Sequence, residues 1–266
     1  MTLFPTHNYF VFNGAIKPIS EFVDAENDGG IYEVIRVEKG VPLFLEDHLL
    51  RFYKSAEIAK ILVAYSKYEI ENSVKLLIQK SIVNNGNLLI SYKSNLKIFY
   101  INHKYPTFKN YSEGVKCGIL FAERENPNAK VFQTSVRQKA NKLIAENNFF
   151  EVFLVDNLGK ITEGSRSNVF FVKENQVITP PGTGVLLGVT RQKTIQLTKA
   201  LGINFIEKEV SFDELNSFDA LFITGTSPKI LPVKQVEKIL FNPQNETLQS
   251  LIKNYNLLVD EYIQTK

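Results

Sequence analysis

Apolar positions along the chain change period several times, and each change predicts an element. Over the first forty residues short apolar runs alternate with tight turns: Tyr9 to Phe12, Asn13-Gly14, Ala15 to Ile19, then Gly30 to Val37, Lys39-Gly40 and Val41 to Phe44. Asn-Gly between apolar runs predicts a hairpin, because both central residues of a type I′ turn take positive φ. From Glu46 to Ala59 the period becomes helical, with Leu45, Leu49, Phe52 and Ala56 on one stripe and Arg51 beside it. A second helix is predicted from Tyr68 to Val83, stopped by Asn84-Asn85-Gly86, with strands following at Leu88 to Tyr92 and Lys97 to Asn102.

The stretch Tyr105-Pro106-Thr107-Phe108-Lys109-Asn110-Tyr111 breaks every period. It predicts a boundary near residue 108, between a smaller domain over 1–108 and a larger one over 109–266. The second half reads as a strand at Val115 to Ala122, a polar break at Glu125 to Asn128, and a helix from Phe132 to Glu146. A hairpin of buried strands is expected next, Val152 to Val155 and Ser167 to Val172 around the turn Asp156 to Gly159. Gly188 to Leu201 is helical, and Leu221 to Thr224 is a last buried strand leading into Gly225-Thr226-Ser227. The fold class is therefore mixed α/β.

With 44% hydrophobic residues, 20 Phe and 11 Tyr, the chain falls in the ordinary globular class and outside the disordered one. A formal charge of +3 over 266 residues is too weak to predict a nucleic-acid footprint. One cysteine, Cys117, excludes an internal disulfide and a cysteine-based zinc cage, and three scattered histidines offer no ligand pair, so no metal is expected. The amino terminus lacks a basic region followed by an apolar core, and no run of about 18 apolar residues occurs, which predicts a soluble cytoplasmic protein without a membrane partner.

Two segments suit a phosphate. Gly188-Val189-Thr190 opens a helix after a Gly-rich loop, where unpaired amides and the positive helix end converge. Gly225-Thr226-Ser227 ends a strand with a permissive glycine and two hydroxyls. Either alone is usually only a capped helix or a turn. Gly182-x-Gly184 lacks the spacing of a dinucleotide loop, and no Gly-x-Ser-x-Gly elbow is present. In Thr162-Glu163-Gly164-Ser165-Arg166-Ser167-Asn168, apolar strands flank an acid, and burying it would demand a partner.

Taken in order, Tyr32-Glu33-Val34-Ile35-Arg36, Leu45-Glu46-Asp47-His48-Leu49-Leu50-Arg51, Thr162-Glu163-Gly164-Ser165-Arg166-Ser167-Asn168-Val169-Phe170, Leu187-Gly188-Val189-Thr190-Arg191 and Thr224-Gly225-Thr226-Ser227 form a pattern. It resembles the class IV aminotransferases, pyridoxal-phosphate enzymes of fold type IV that include branched-chain and D-amino-acid aminotransferases and aminodeoxychorismate lyase. The resemblance runs from about residue 8 to 240 and implies a two-domain, D-amino-acid-aminotransferase-like fold with pyridoxal 5′-phosphate between the domains.

Residue by residue, the resemblance implies that Arg51 holds the cofactor phosphate together with Val189, Thr190 and Thr226. It implies that Glu163 pairs with the pyridine nitrogen and that Tyr32 borders the substrate. The Schiff-base lysine is implied at Lys130, which lies 33 positions before Glu163, although Gln133 stands where the family pattern has Asn. Such an amine must be neutral near pH 7, whereas free lysine titrates near about 10.4, so its surroundings must disfavour the ammonium form. The expected reaction moves an amino group between a small amino acid and a 2-oxo acid. Aminodeoxychorismate lyase, which shares every cofactor contact, is the alternative, and a binding protein that kept only the fold is a third. The D-amino-acid enzymes grip the substrate carboxylate with an Arg-x-His pair on a first-domain strand, and Ser91 to Lys97 contains none. The Thr-Glu-Gly stretch nevertheless resembles those enzymes, so the enantiomer stays open. A homodimer is implied by resemblance.

Overall fold

Residues 4–23, 29–132 and 135–266 are described in a computed structural model. The chain divides into two units: Met1–Lys104 with Ala129–Thr134 and Val259–Lys266, and Tyr105–Asn128 with Ser135–Leu258. No helix among the described residues is long and apolar enough to cross a membrane.

The first unit is built on β1 (Tyr9–Phe12), β2 (Ala15–Pro18), β3 (Ile31–Glu38), β4 (Val41–Pro42), α1 (Leu45–Ile58), α2 (Lys67–Ser81), β5 (Gly86–Tyr92) and β6 (Leu96–Ile101). The strands form one antiparallel sheet in the order β2-β1-β6-β5-β3-β4. Asn13 and Gly14 take φ of 50° and 83° between β1 and β2, as a type I′ hairpin turn demands. Along β3 every second residue is buried, and Ile31, Ile35 and Val37 pack with Leu49 and Phe52 of α1 and Val74 and Leu77 of α2. The fourth buried position in that phase is Glu33. On the other side of the sheet, Tyr32 and Val34 pack with Phe10, Leu89 and Phe99. Ser66 and Glu69 form a capping box at the start of α2, whose end falls on left-handed Ile82, ahead of the expected Asn-Gly stop.

The second unit contains α3 (Phe108–Glu113), β7 (Val115–Phe121), α4 (Ser135–Asn147), β8 (Glu151–Val155), β9 (Lys160–Gly164), β10 (Asn168–Lys173) and β11 (Gln176–Thr179). It continues through α5 (Val189–Ala200), β12 (Asn204–Glu207), β13 (Val210–Ser211), β14 (Ala220–Gly225), β15 (Lys229–Val236), β16 (Ile239–Leu240) and α6 (Glu246–Gln264), whose residues from Val259 on are grouped with the first unit. Its sheet runs β12-β11-β10-β14-β15-β7-β8-β9-β13, with β16 on β15. Four strands separate β9 from β10 in this order, yet the chain passes from one to the other through Ser165, Arg166 and Ser167. The sheet therefore curls on itself, and Glu163 and Asn168 lie where it curls.

Two expectations are corrected. The strand paired with β8 across the Asp156 turn is β9, which carries Glu163, not the segment after Ser167. Lys160-Ile161-Thr162 is too polar to announce that strand. The lysine expected in the second domain groups with the first unit, because residues around it extend beside β3: Tyr32 N–H donates to the Lys130 carbonyl at 3.0 Å and Phe132 N–H to Gly30 at 2.9 Å. Lys130 accordingly precedes α4 instead of opening it, and Gln133 lies outside the described residues.

Candidate active site

In the first unit the Lys130 backbone is pinned twice. Its N–H donates to Ser55 Oγ at 3.0 Å, and Ser55 is wholly buried on α1. Its carbonyl takes the Tyr32 N–H described above. These bonds leave the side chain over the Tyr32 ring, with Nζ 4.6 Å from the centroid. Tyr32 in turn stacks on Phe132, centroids 4.3 Å apart and planes 24° off parallel. The amine thus meets an aromatic wall.

Arg51, one helical turn beyond His48 on α1, forms an ion pair with Glu33 beneath the sheet. Nε and Nη2 donate to the two Glu33 oxygens at 2.7 and 2.6 Å, and His48 Nδ1 lies 2.8 Å from Oε2. Burial pushes the Glu33 carboxyl up, but the Arg51 and His48 contacts outweigh it and hold it at about 2. Burial lowers the His48 imidazole, with the Arg51 and Lys130 charges adding to that effect against the pull of Glu33, so at neutral pH it is an uncharged donor. Glu33 therefore occupies the Nε–Nη2 edge of the guanidinium.

In the second unit Glu163 is 3% exposed. Its Oε1 accepts from Arg124 Nη1 at 2.8 Å, while Oε2 accepts the Leu186 N–H at 3.1 Å and Asn168 Nδ2 at 3.4 Å. Asn168 also donates to the Leu186 carbonyl at 2.8 Å, and it pairs with Thr224 across β10 and β14. The acid, the loop leading into α5 and the end of β14 are therefore joined through one asparagine.

That loop is fastened along its length. Asn128 Nδ2 donates to the carbonyls of Gly182 and Val185 at 2.8 and 2.7 Å, and Gly182 N–H donates to Glu207 at 2.9 Å. Arg191, 2% exposed, donates to the Pro180 carbonyl at 3.0 Å and pairs with Glu207 at 3.3 Å. The helix it leads into starts at Val189 with no side-chain cap and no acid in its first turn, and Thr190 is buried there. A Cβ on Gly188 would lie 2.2 Å from Asn168 Oδ1, so only glycine allows this approach. Thr224 Oγ1 is buried and has no hydrogen-bond partner. An uncapped helix start, a buried, unsatisfied hydroxyl and a buried carboxyl group bonded to the loop between them fit a phosphate and a ring-nitrogen proton.

Arg51, Lys130 and Tyr32 lie together in the first unit, and Glu163, Val189, Thr190 and Thr226 are in the second. Reading the sequence alone missed Glu33, Arg124, Asn168 and Glu151. Glu33 had a signal, a charge in phase with Ile31, Ile35 and Val37 on a buried strand face. Glu151, 4% exposed, accepts from Ser165 Oγ, Ser167 Oγ and the Arg166 N–H at 2.6, 2.9 and 3.1 Å and so shapes the turn after Glu163. Its sequence context, at the head of an apolar strand, gave no sign of this.

The chain is similar to known proteins over most of its length. The chain is 32% identical over 254 residues to the D-alanine aminotransferase of Bacillus licheniformis, covering 85% of this chain and 88% of the relative. The branched-chain amino acid aminotransferase of Escherichia coli superposes with a TM-score of 0.85 at 22% identity, covering 96% of this chain and 95% of that one. That of Thermobaculum terrenum, solved in its PLP form, superposes at 0.82 with 21% identity, over 95% and 94%. Residues 30–236 match the family model described as amino-transferase class IV, and the chain belongs to that family of pyridoxal-phosphate-dependent enzymes.

Proposed function

We propose that the enzyme transfers an amino group between a small amino acid and a 2-oxo acid, with Lys130, Glu163 and Tyr32 at the reacting centre. Arg51, the Val189 and Thr190 amides and the Thr226 hydroxyl are assigned to the cofactor phosphate. The observation that carries this reading is the bonding of Glu163 to Leu186 and Asn168, which fixes a buried carboxylate relative to an uncapped helix start. When bound, pyridoxal phosphate supplies a protonated ring able to take up the electron pair released at the substrate Cα. Glu163 holds the proton at the ring nitrogen. Lys130 is the amine that ties the cofactor to the chain and then moves a proton at the substrate Cα.

The Tyr32–Phe132 stack stands against the amine and leaves a compact side chain as the better fit. The Bacillus licheniformis relative, a D-alanine aminotransferase, supports the same size class. Mixing holoenzyme with D-alanine, L-alanine or L-leucine and following the visible cofactor band tests this. The expected order puts D-alanine first, and conversion of L-leucine alone would overturn the small-substrate assignment. Transfer needs a 2-oxo acid acceptor for sustained turnover, whereas a lyase turns over without one. Turnover in the absence of acceptor would therefore replace transfer with elimination.

A further inference from the structure

We propose that Arg124 is a positioning residue, holding Glu163 as an anion in a fixed orientation for the cofactor ring nitrogen. The inference rests on the assignment of Glu163 to that nitrogen. Both carboxylate oxygens are committed: Oε1 to Arg124 Nη1 at 2.8 Å, and Oε2 to the Leu186 N–H and Asn168. The side chains of Arg124 and Glu163 are 16% and 4% exposed, so the pair is shielded from water and salt. The charge of Arg191 on α5 also reaches Glu163, and Glu151 of β8 stands against Gly164.

A carboxylate this buried would by itself favour the neutral acid, and a neutral acid cannot keep a ring nitrogen protonated. A guanidinium beside the carboxylate supplies a fixed positive charge and a directed N–H donor. Two planar hydrogen-bonding partners also prevent the carboxylate from turning away. Arg124 lies six positions before Lys130, just ahead of the polar break, where nothing in the sequence pattern distinguishes it from a solvated cation.

The test titrates apoprotein with pyridoxal phosphate from pH 5 to 9, reading the dissociation constant and the visible band, for wild type, Arg124→Gln, Arg124→Lys, Glu163→Gln and the double variant. In Arg124→Gln the acid limb of cofactor affinity should move up by about 1 to 3 pH units, as expected on losing an opposite charge within hydrogen-bond distance. Arg124→Lys, which keeps the charge but not the fork, should move it less. Glu163→Gln should abolish the limb, and adding Arg124→Gln should then change nothing further. A purely structural arginine would weaken binding equally at every pH and in both backgrounds, and that result overturns the proposal. A Glu163→Gln variant identical to wild type would instead overturn the assignment of Glu163 itself. If Arg124→Gln does not fold, Arg124→Lys with an unmoved acid limb also overturns the proposal.

Discussion

Arg51→Ala should cost stability as well as cofactor, because it strands a carboxylate with no exposed surface. Glu33 sits under the sheet with Arg51 Nε and Nη2 at 2.7 and 2.6 Å, and those contacts bring its carboxyl from 4.5 to about 2 despite burial. A depression of that size corresponds to about 3 kcal/mol of stability at neutral pH, in line with the roughly 3 to 5 kcal/mol lost when one partner of a buried pair is removed. Because the folded-state value lies below the unfolded one, this stability is present above pH 4.5 and is lost as the pH falls toward 2. Urea unfolding of the apoprotein should therefore show Arg51→Ala about 3 to 5 kcal/mol below wild type at pH 7, with the gap narrowing by pH 3. Adding Glu33→Gln should recover part of the loss, since a neutral amide is cheaper to bury. A loss under about 1 kcal/mol at pH 7, or one independent of pH, would show that Arg51 does not neutralise Glu33. In folded variant protein, the assignment of Arg51 to the cofactor phosphate requires cofactor affinity to fall by about 2 to 4 kcal/mol.

Gly188→Ala puts a Cβ 2.2 Å from Asn168 Oδ1 and must displace the side chain that links Glu163 to the α5 loop. Cofactor affinity should drop at least tenfold, about 1.4 kcal/mol, in a spectroscopic titration, and unchanged affinity would contradict the link. Glu151→Ala removes the acceptor from Ser165, Ser167 and the Arg166 amide and should lower thermal stability by about 3 kcal/mol, as buried donors are left unmade. A change below about 1 kcal/mol would assign the turn's shape to other contacts. Light scattering should give twice the chain mass, consistent with a two-fold dimer, and a monomer mass would remove that expectation.

Legibility in the sequence followed local periodicity. The Asn13-Gly14 hairpin, the α1 stripe with Leu49 and Phe52, and the helix after Gly188 are each specified by residues within a few positions of one another, and all appear in the structure. β9 was hidden because its pairing partner, not its own composition, makes Lys160–Gly164 a strand. The grouping of Lys130 with the first unit was hidden for a similar reason: it depends on hydrogen bonds to Gly30 and Tyr32, about a hundred positions away. Charged residues that act through another residue were the hardest to read. Glu33 betrays itself by its phase on β3, whereas Arg124 and Glu151 acquire their roles only when the curled sheet brings β8, β9 and the segment after β7 together.

Lys130 is assigned as the amine to which the cofactor is tied. Borohydride reduction of the holoenzyme, followed by proteolysis and mass spectrometry, reads this directly. The reduced cofactor's mass is expected on the peptide containing Lys130 and should be lost in Lys130→Ala, which should still bind free cofactor but fall in activity by more than the ~10²- to 10⁴-fold typical of losing a general base alone. Label instead on Lys139 or Lys142, the lysines of α4 that follow Lys130, or a Lys130→Ala enzyme with near wild-type turnover, would overturn that assignment.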